Sequence, residues 1–87
     1  MKLANGMEVQ LRPGVLPETV QKCFKYLAAD SDGEVFAFEE KPYLQTSLRG
    51  DNGLHVWDCL NGDCDYIGDI AVSNYSGADT RATLTEI

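Results

Sequence analysis

Eighty-seven residues suffice for one domain, 1–87, around a single modest core. A hydrophobic content of 44% excludes wholesale disorder, and no apolar run nears the roughly 18 residues that a membrane-spanning helix needs. The net charge of −7 disfavours nucleic acid and lipid headgroups as partners and steers the chain toward basic surfaces, although acidity also simply keeps a small protein dispersed. The charge is unevenly spread. Residues 1–50 hold seven acids and six bases, whereas residues 51–87 set Asp51, Asp58, Asp63, Asp65, Asp69, Asp79 and Glu86 against Arg81 alone.

In chain order, MKLANGMEVQLRPG lacks the apolar stretch of a secretory signal, so the expected compartment is the cytoplasm. Met7 to Leu11 alternates as a short strand and ends in the turn Arg12-Pro13-Gly14. Pro17 suits a first helical position, Glu18 complements the N-terminal dipole, and Leu16, Val20, Cys23, Phe24 and Leu27 recur at helical spacing. A helix is expected from Pro17 to about Phe24.

The segment KYLAADSDGEVFAFEEKP reads as a hairpin turning on Asp32-Gly33 as a two-residue type I′ loop. That register pairs Ala29 with Phe36, Leu27 with Phe38 and Lys25 with Glu40 on one face. The other face pairs Ala28 with Ala37 and Tyr26 with Glu39, and Pro42 closes the second strand. The same carboxylates imitate an EF-hand loop, but Ala28 stands where the first calcium-ligating carboxylate is essential, and Pro42 would break the following helix. The hairpin is the better reading.

Residues 45–53 form a polar loop, and HVWDCLNGDCDY then reads as a second hairpin on Asn61-Gly62. Its register opposes Cys59 to Cys64 and Trp57 to Tyr66 on one face, and Val56 to Ile67 and Asp58 to Asp65 on the other. Opposed aspartates are unfavourable without solvent or a cationic partner. YIGDIAV continues the strand with Gly68 as a candidate bulge, and 74–77 form a turn. Asp79 caps a short final helix that buries Leu84 and Ile87.

Zinc would need Cys23, His55, Cys59 and Cys64 together, but His55 and Cys59 lie roughly 13 Å apart along a strand. No metal is therefore expected. A Cys59–Cys64 disulfide fits the opposed positions, but a reducing cytosol keeps it open, and acidic neighbours raise rather than lower thiol pKa. The expectation is two free thiols. No catalytic residues, P-loop or dinucleotide fingerprint can be named, so neither an enzyme nor a cofactor is expected.

AADSDGEVFAFEEKP, an isolated Trp57 and a closing DTRATLTEI together resemble a loose class of short, early, non-structural bacteriophage proteins. That class resembles an A-x-D-x-D-G-E-V-x-x-F/Y-x-x-K-P hairpin, a middle tryptophan, and a closing D-W-R-x-x-L-x-E-I. Asp79, Arg81, Leu84, Glu86 and Ile87 fit the closing pattern, with Thr80 where the class has tryptophan. The resemblance implies a phage context, in which small acidic proteins bind and block host enzymes or defence complexes in the host cytoplasm.

The expected fold is α+β, with an antiparallel sheet of two hairpins, one N-terminal helix and a short C-terminal helix. The expected function is inhibition of a host protein with a basic surface, such as an anti-CRISPR that mimics DNA. Asp58, Asp63, Asp65 and Asp69 would stand in for phosphates, and Trp57 or Tyr66 would anchor. For Trp57, plain packing is the competing reading. Two alternatives stay open: an assembly component that oligomerises, and a binder of a small cationic or nucleotide-derived signal.

Overall fold

The computed structural model describes residues 1–46, 55–71 and 77–87, leaving aside the side chains of Thr46, His55 and 77–79. Strands β1 (Val9–Leu11), β2 (Tyr26–Ala29), β3 (Glu34–Phe38), β6 (Cys64–Ile70) and β7 (Thr85–Glu86) form one antiparallel sheet in the order β1-β6-β3-β2-β7. Strands β4 (Tyr43–Thr46) and β5 (His55–Asp58) form a separate two-stranded sheet. The single α-helix among the described residues, α1, spans Pro17–Cys23.

The helix begins and ends where the sequence places it. Pro17 opens it, Glu18 and Lys22 match the dipole at either end, and Phe24 leaves it in extended backbone with its N–H bonded to Val20 O at 2.9 Å. Phe24 therefore launches β2 directly. Val20 is the helix's buried residue and packs on the face formed by Leu27, Ala29, Val35, Ala37, Ile67 and Ile70. Full burial of Leu27, Val35 and Ile67 contributes about 1.5–3 kcal/mol each. Val9 on β1 and Leu3 on the N-terminal segment close the same core.

The first hairpin forms, but one residue out of the expected register. Asp30 N–H bonds to Glu34 O (2.8 Å), and Gly33 N–H bonds to Asp30 O (2.9 Å), so the loop holds Ser31, Asp32 and Gly33. This is a turn plus a left-handed glycine, Gly33 at φ +92°, rather than a two-residue loop. Ala29 consequently faces Val35, Leu27 faces Ala37, Ala28 faces Phe36, and Tyr26 faces Phe38. Lys25 does not pair with Glu40; its N–H bonds to Phe38 O. The correction moves Phe36 and Phe38 to the sheet face away from α1, where Phe38 is nevertheless 1% exposed.

The second expected hairpin does not form. β5 pairs with β4, setting Trp57 opposite Leu44 and Asp58 opposite Tyr43, while β6 runs between β1 and β3. Trp57 therefore does not face Tyr66, and Asp58 does not face Asp65. β6 carries the expected bulge, with Ile67 as the extra residue between the pairs Val35–Gly68 and Phe36–Tyr66. Gly68 is required by close approach: a Cβ there would collide with the backbone carbonyl of Gln10 on β1.

The C-terminal helix is a 3-10 helix, Gly77–Thr83, followed by β7 pairing with β2. Its threonines bond to backbone instead of extending an α-helix. Thr83 Oγ1 accepts from Ala29 N–H at 2.9 Å and donates to Thr80 O at 2.6 Å, and Thr85 Oγ1 accepts from Ala4 N–H at 2.7 Å. Asp79 sits within this helix rather than at its start, its side chain lying outside the described set. Leu84 and Ile87 are half-buried. The loop expected at 45–53 and the turn at 74–77 fall largely outside the described residues. No described helix is long and apolar enough to cross a membrane.

Candidate functional site

The six residues singled out from sequence fall in separate places. Trp57 is half-buried and structural: its N–H donates to Asp30 Oδ1 at 2.8 Å, and its indole Nε1 donates to Ala29 O at 2.9 Å. It ties the small sheet to the end of β2. Asp58 and Asp63 are exposed on either side of the turn after β5. Asp58 Oδ1 accepts from Cys59 N–H, and Asp63 N–H donates to Glu39 Oε1 at 2.6 Å. Asp65 stands opposite Ala37 on the helix-bearing face, at the rim of a groove of about 190 Å³ shared with Val15, Leu16 and Thr19. Asp69, toward the other end of β6, and Tyr66 remain together on the other face, joined by the bond from the phenol to the carboxylate.

This end of the sheet is where carboxylates meet. Glu34 and Asp69 are direct cross-strand partners on β3 and β6, an arrangement of like charges that destabilises a ladder. Asp32 joins them, its Oδ1 accepting from Glu34 N–H at 3.0 Å. The Asp32 charge, then lost hydration, a hydrogen bond with Asp32, and the charges of Asp69 and Asp30 hold the Glu34 carboxyl above its ordinary range. Asp30, buried behind them, is also raised, chiefly by burial; the Trp57 N–H bond pulls it back, and Asp32 pushes it up again.

Tyr66 supplies the aromatic floor. Its ring lies 5.5 Å from Phe36, centroid to centroid, and 4.6 Å under the Arg12 guanidinium, which also donates to Tyr66 O at 3.2 Å. The phenol donates to Asp69, 2.8–2.9 Å from both carboxylate oxygens. That bond, loss of hydration and the charges of Asp69 and Glu34 raise the Tyr66 pKa, against the opposing pull of Arg12. Tyr66 is thus fixed from three sides and presents a rigid, half-buried ring beside two facing acids.

Asp32 and Glu34 are the members that sequence reading missed. Their alternation around Asp-Gly was visible, but Glu34 meets Asp69 only through the pairing of β3 with β6, which no local signal announces. Glu39 and Glu40, beside Gly62, were missed for the same reason.

The three cysteines are free thiols. Burial, the neighbouring Cys59 thiol and the charges of Asp58 and Asp63 push the Cys64 thiol up, away from nucleophilic use at neutral pH. Cys59 and Cys64 are neighbours across a turn between two sheets, not opposed residues of one hairpin. Among the described residues no group of His, Cys, Asp and Glu is arranged to hold a metal ion. What the acidic end can do chemically is present negative charge around an aromatic surface. No protein-family model, no curated protein and no solved structure matches this chain.

Proposed function

We propose that this chain is a phage-encoded, non-enzymatic inhibitor that binds a host defence or nucleic-acid-binding protein, with carboxylates taking the place of phosphates. The observation that carries this reading is the cross-strand pair Glu34–Asp69, with Asp32 alongside. Facing carboxylates are a standing penalty in the free protein, and a basic partner relieves it. Tyr66 beside them offers a pre-ordered ring for an arginine or an apolar contact. In this reading Asp69 and Tyr66 retain the roles expected from sequence, Asp32 and Glu34 take the place of Asp58, Asp63 and Asp65, and Trp57 leaves the working surface.

The test is capture from bacterial lysate by the tagged chain, followed by a nucleic-acid-binding assay on the captured protein. The expected result is a nucleic-acid-binding protein whose binding is blocked. Changing Asp32, Glu34 and Asp69 together to Asn, Gln and Asn should weaken capture by well over tenfold, since the loss of a single close charge pair, about 1.5 kcal/mol, is already about tenfold. Asp65→Asn on the opposite face should leave it unchanged. Equal capture by the triple variant would sink the electrostatic mechanism.

A further inference from the structure

The small sheet carries a second surface of different character. Alternation along β4 and β5 turns Leu44 and Trp57 to one side and Tyr43, Gln45, Val56 and Asp58 to the other. Trp57 fixes the first side to the main sheet, so the second faces outward. Four large apolar side chains stand exposed among the described residues, and three lie on or beside this outer face: Tyr43 (43%), Val56 (37%) and Leu60 (84%). Tyr43 and Val56 are diagonal neighbours on the ladder, and Tyr43 and Leu60 line a hollow of about 260 Å³ with Glu40, Lys41 and Asn61. Leu60 makes no contribution to the core from this position. Apolar groups gathered at one surface and rimmed by polar ones mark interaction sites.

We propose that the outer face of the β4–β5 sheet docks a basic segment of another protein, which seats one apolar side chain between Tyr43 and Leu60. Charge selects this occupant. Asp58 lies beside the Tyr43 hydroxyl at 3.5 Å, Glu40 lines the hollow, and Asp63 follows two residues after Asn61, against Lys41 as the base of the hollow. A second copy would set these carboxylates against their own equivalents, and nucleic acid or anionic lipid would be repelled. A segment with Lys or Arg flanking Leu, Ile or Phe satisfies both the acids and the apolar floor. This surface lies at the Cys64 end of β6, with Asp69 about 20 Å along the strand from Asp63, and occupancy of the surface does not depend on the acidic end binding anything.

Two synthetic peptides of equal positive charge test it, one alternating lysine with leucine and one of lysine alternating with glycine. Titration calorimetry and amide chemical shifts are the readouts. The leucine peptide should bind about tenfold tighter, with shifts at 43–46 and 55–63. Leu60→Ser with Val56→Thr should remove that advantage while leaving the melting temperature unchanged, and Asp58→Asn with Asp63→Asn should weaken both peptides. Equal affinities, no binding of either peptide, or shifts confined to the Glu34–Asp69 end would overturn the proposal. So would self-association in sedimentation that Leu60→Ser abolishes, because the occupant would then be a second copy. None of these outcomes touches the capture experiment with the Asp32, Glu34 and Asp69 variant, so the two readings fail separately.

Discussion

Asp32-Gly33 and Asn61-Gly62 have the same local chemistry and lead to different architectures. Gly33 and Gly62 both adopt positive φ, +92° and +82°. The first turn joins β2 to β3, neighbours in one sheet; the second separates β5 from β6, which belong to different sheets. A turn dipeptide reverses the chain but does not choose the partner. β6 brings Ile67 and Ile70 to the core and Tyr66 to Phe36, so it gains most in the middle of the large sheet. β5 has one such residue, Trp57, and gains more by pairing with β4, where Leu44 faces it.

The largest expected effect breaks the β6 side of this comparison. Gly68→Val places a branched side chain against the Gln10 carbonyl, a backbone group that cannot rotate away. It should cost about 4 kcal/mol or prevent folding, read by urea denaturation of the purified chain. Next comes the β5 side. Trp57→Ala removes the indole and its bond to Ala29 O, at about 2–3 kcal/mol. Hydrogen exchange sharpens the result: protection should vanish at 43–46 and 55–58 while β3 and β6 keep theirs. Loss of protection in both sheets together would show that they unfold as one unit.

That contrast also explains what was legible in the sequence. Helix limits, the β1 and β3 segments and the bulge next to Gly68 follow from Pro17, Phe24 and local alternation, so local signals suffice. The hairpin register was off by one because a two-residue and a three-residue loop share the same Asp-Gly signature. β4 is hard to read from sequence: Tyr43-Leu44-Gln45-Thr46 alternates after Pro42, but the polar run that follows gives the segment the composition of a loop. Of the candidate site, Asp69 and Tyr66 were named from sequence, Tyr66 through a pairing with Trp57 that does not form. It is the bulge at Ile67 that turns these residues, three apart on β6, to one face. Asp32 and Glu34 were not named, because their place depends on pairing of β3 with a strand some thirty residues away.

The two turns can be compared directly by alanine. At either glycine the positive φ makes a side chain unfavourable by about 1–2 kcal/mol. Gly33 is held by its own N–H to Asp30 O and by Ile70 N–H to its carbonyl, so Gly33→Ala should show that loss in full in thermal melts. A Cβ on Gly62 would meet Glu40 Cγ at 3.1 Å and Glu39 Cβ at 3.2 Å, so both residues would have to shift by a few tenths of an ångström, and Glu39 is held by the Asp63 N–H. Gly62→Ala should therefore cost about 1–2 kcal/mol, no less than Gly33→Ala, and a smaller loss would mean that the second turn, between separated strands, adapts more readily than the first.

The smallest effect concerns Asp30, the carboxylate joining the two sheets. Its pKa lies above the ordinary 3.8, mainly through burial, so the folded chain holds that proton more tightly than the unfolded one. Stability must then fall as pH rises from the ordinary carboxylate value through the raised native one, with the full penalty present at neutral pH. Glu34 contributes in the same direction. Asn at position 30 retains an oxygen for the Trp57 N–H and removes the charge. Asp30→Asn should therefore stabilise the chain at pH 7 by under about 1 kcal/mol, have no such benefit well below the ordinary value, and flatten the pH profile of the melting temperature. A destabilised variant at pH 7 would mean that the ionised carboxylate binds the Trp57 N–H strongly enough to outweigh its own burial. The link between the sheets would then be electrostatic rather than a matter of shape.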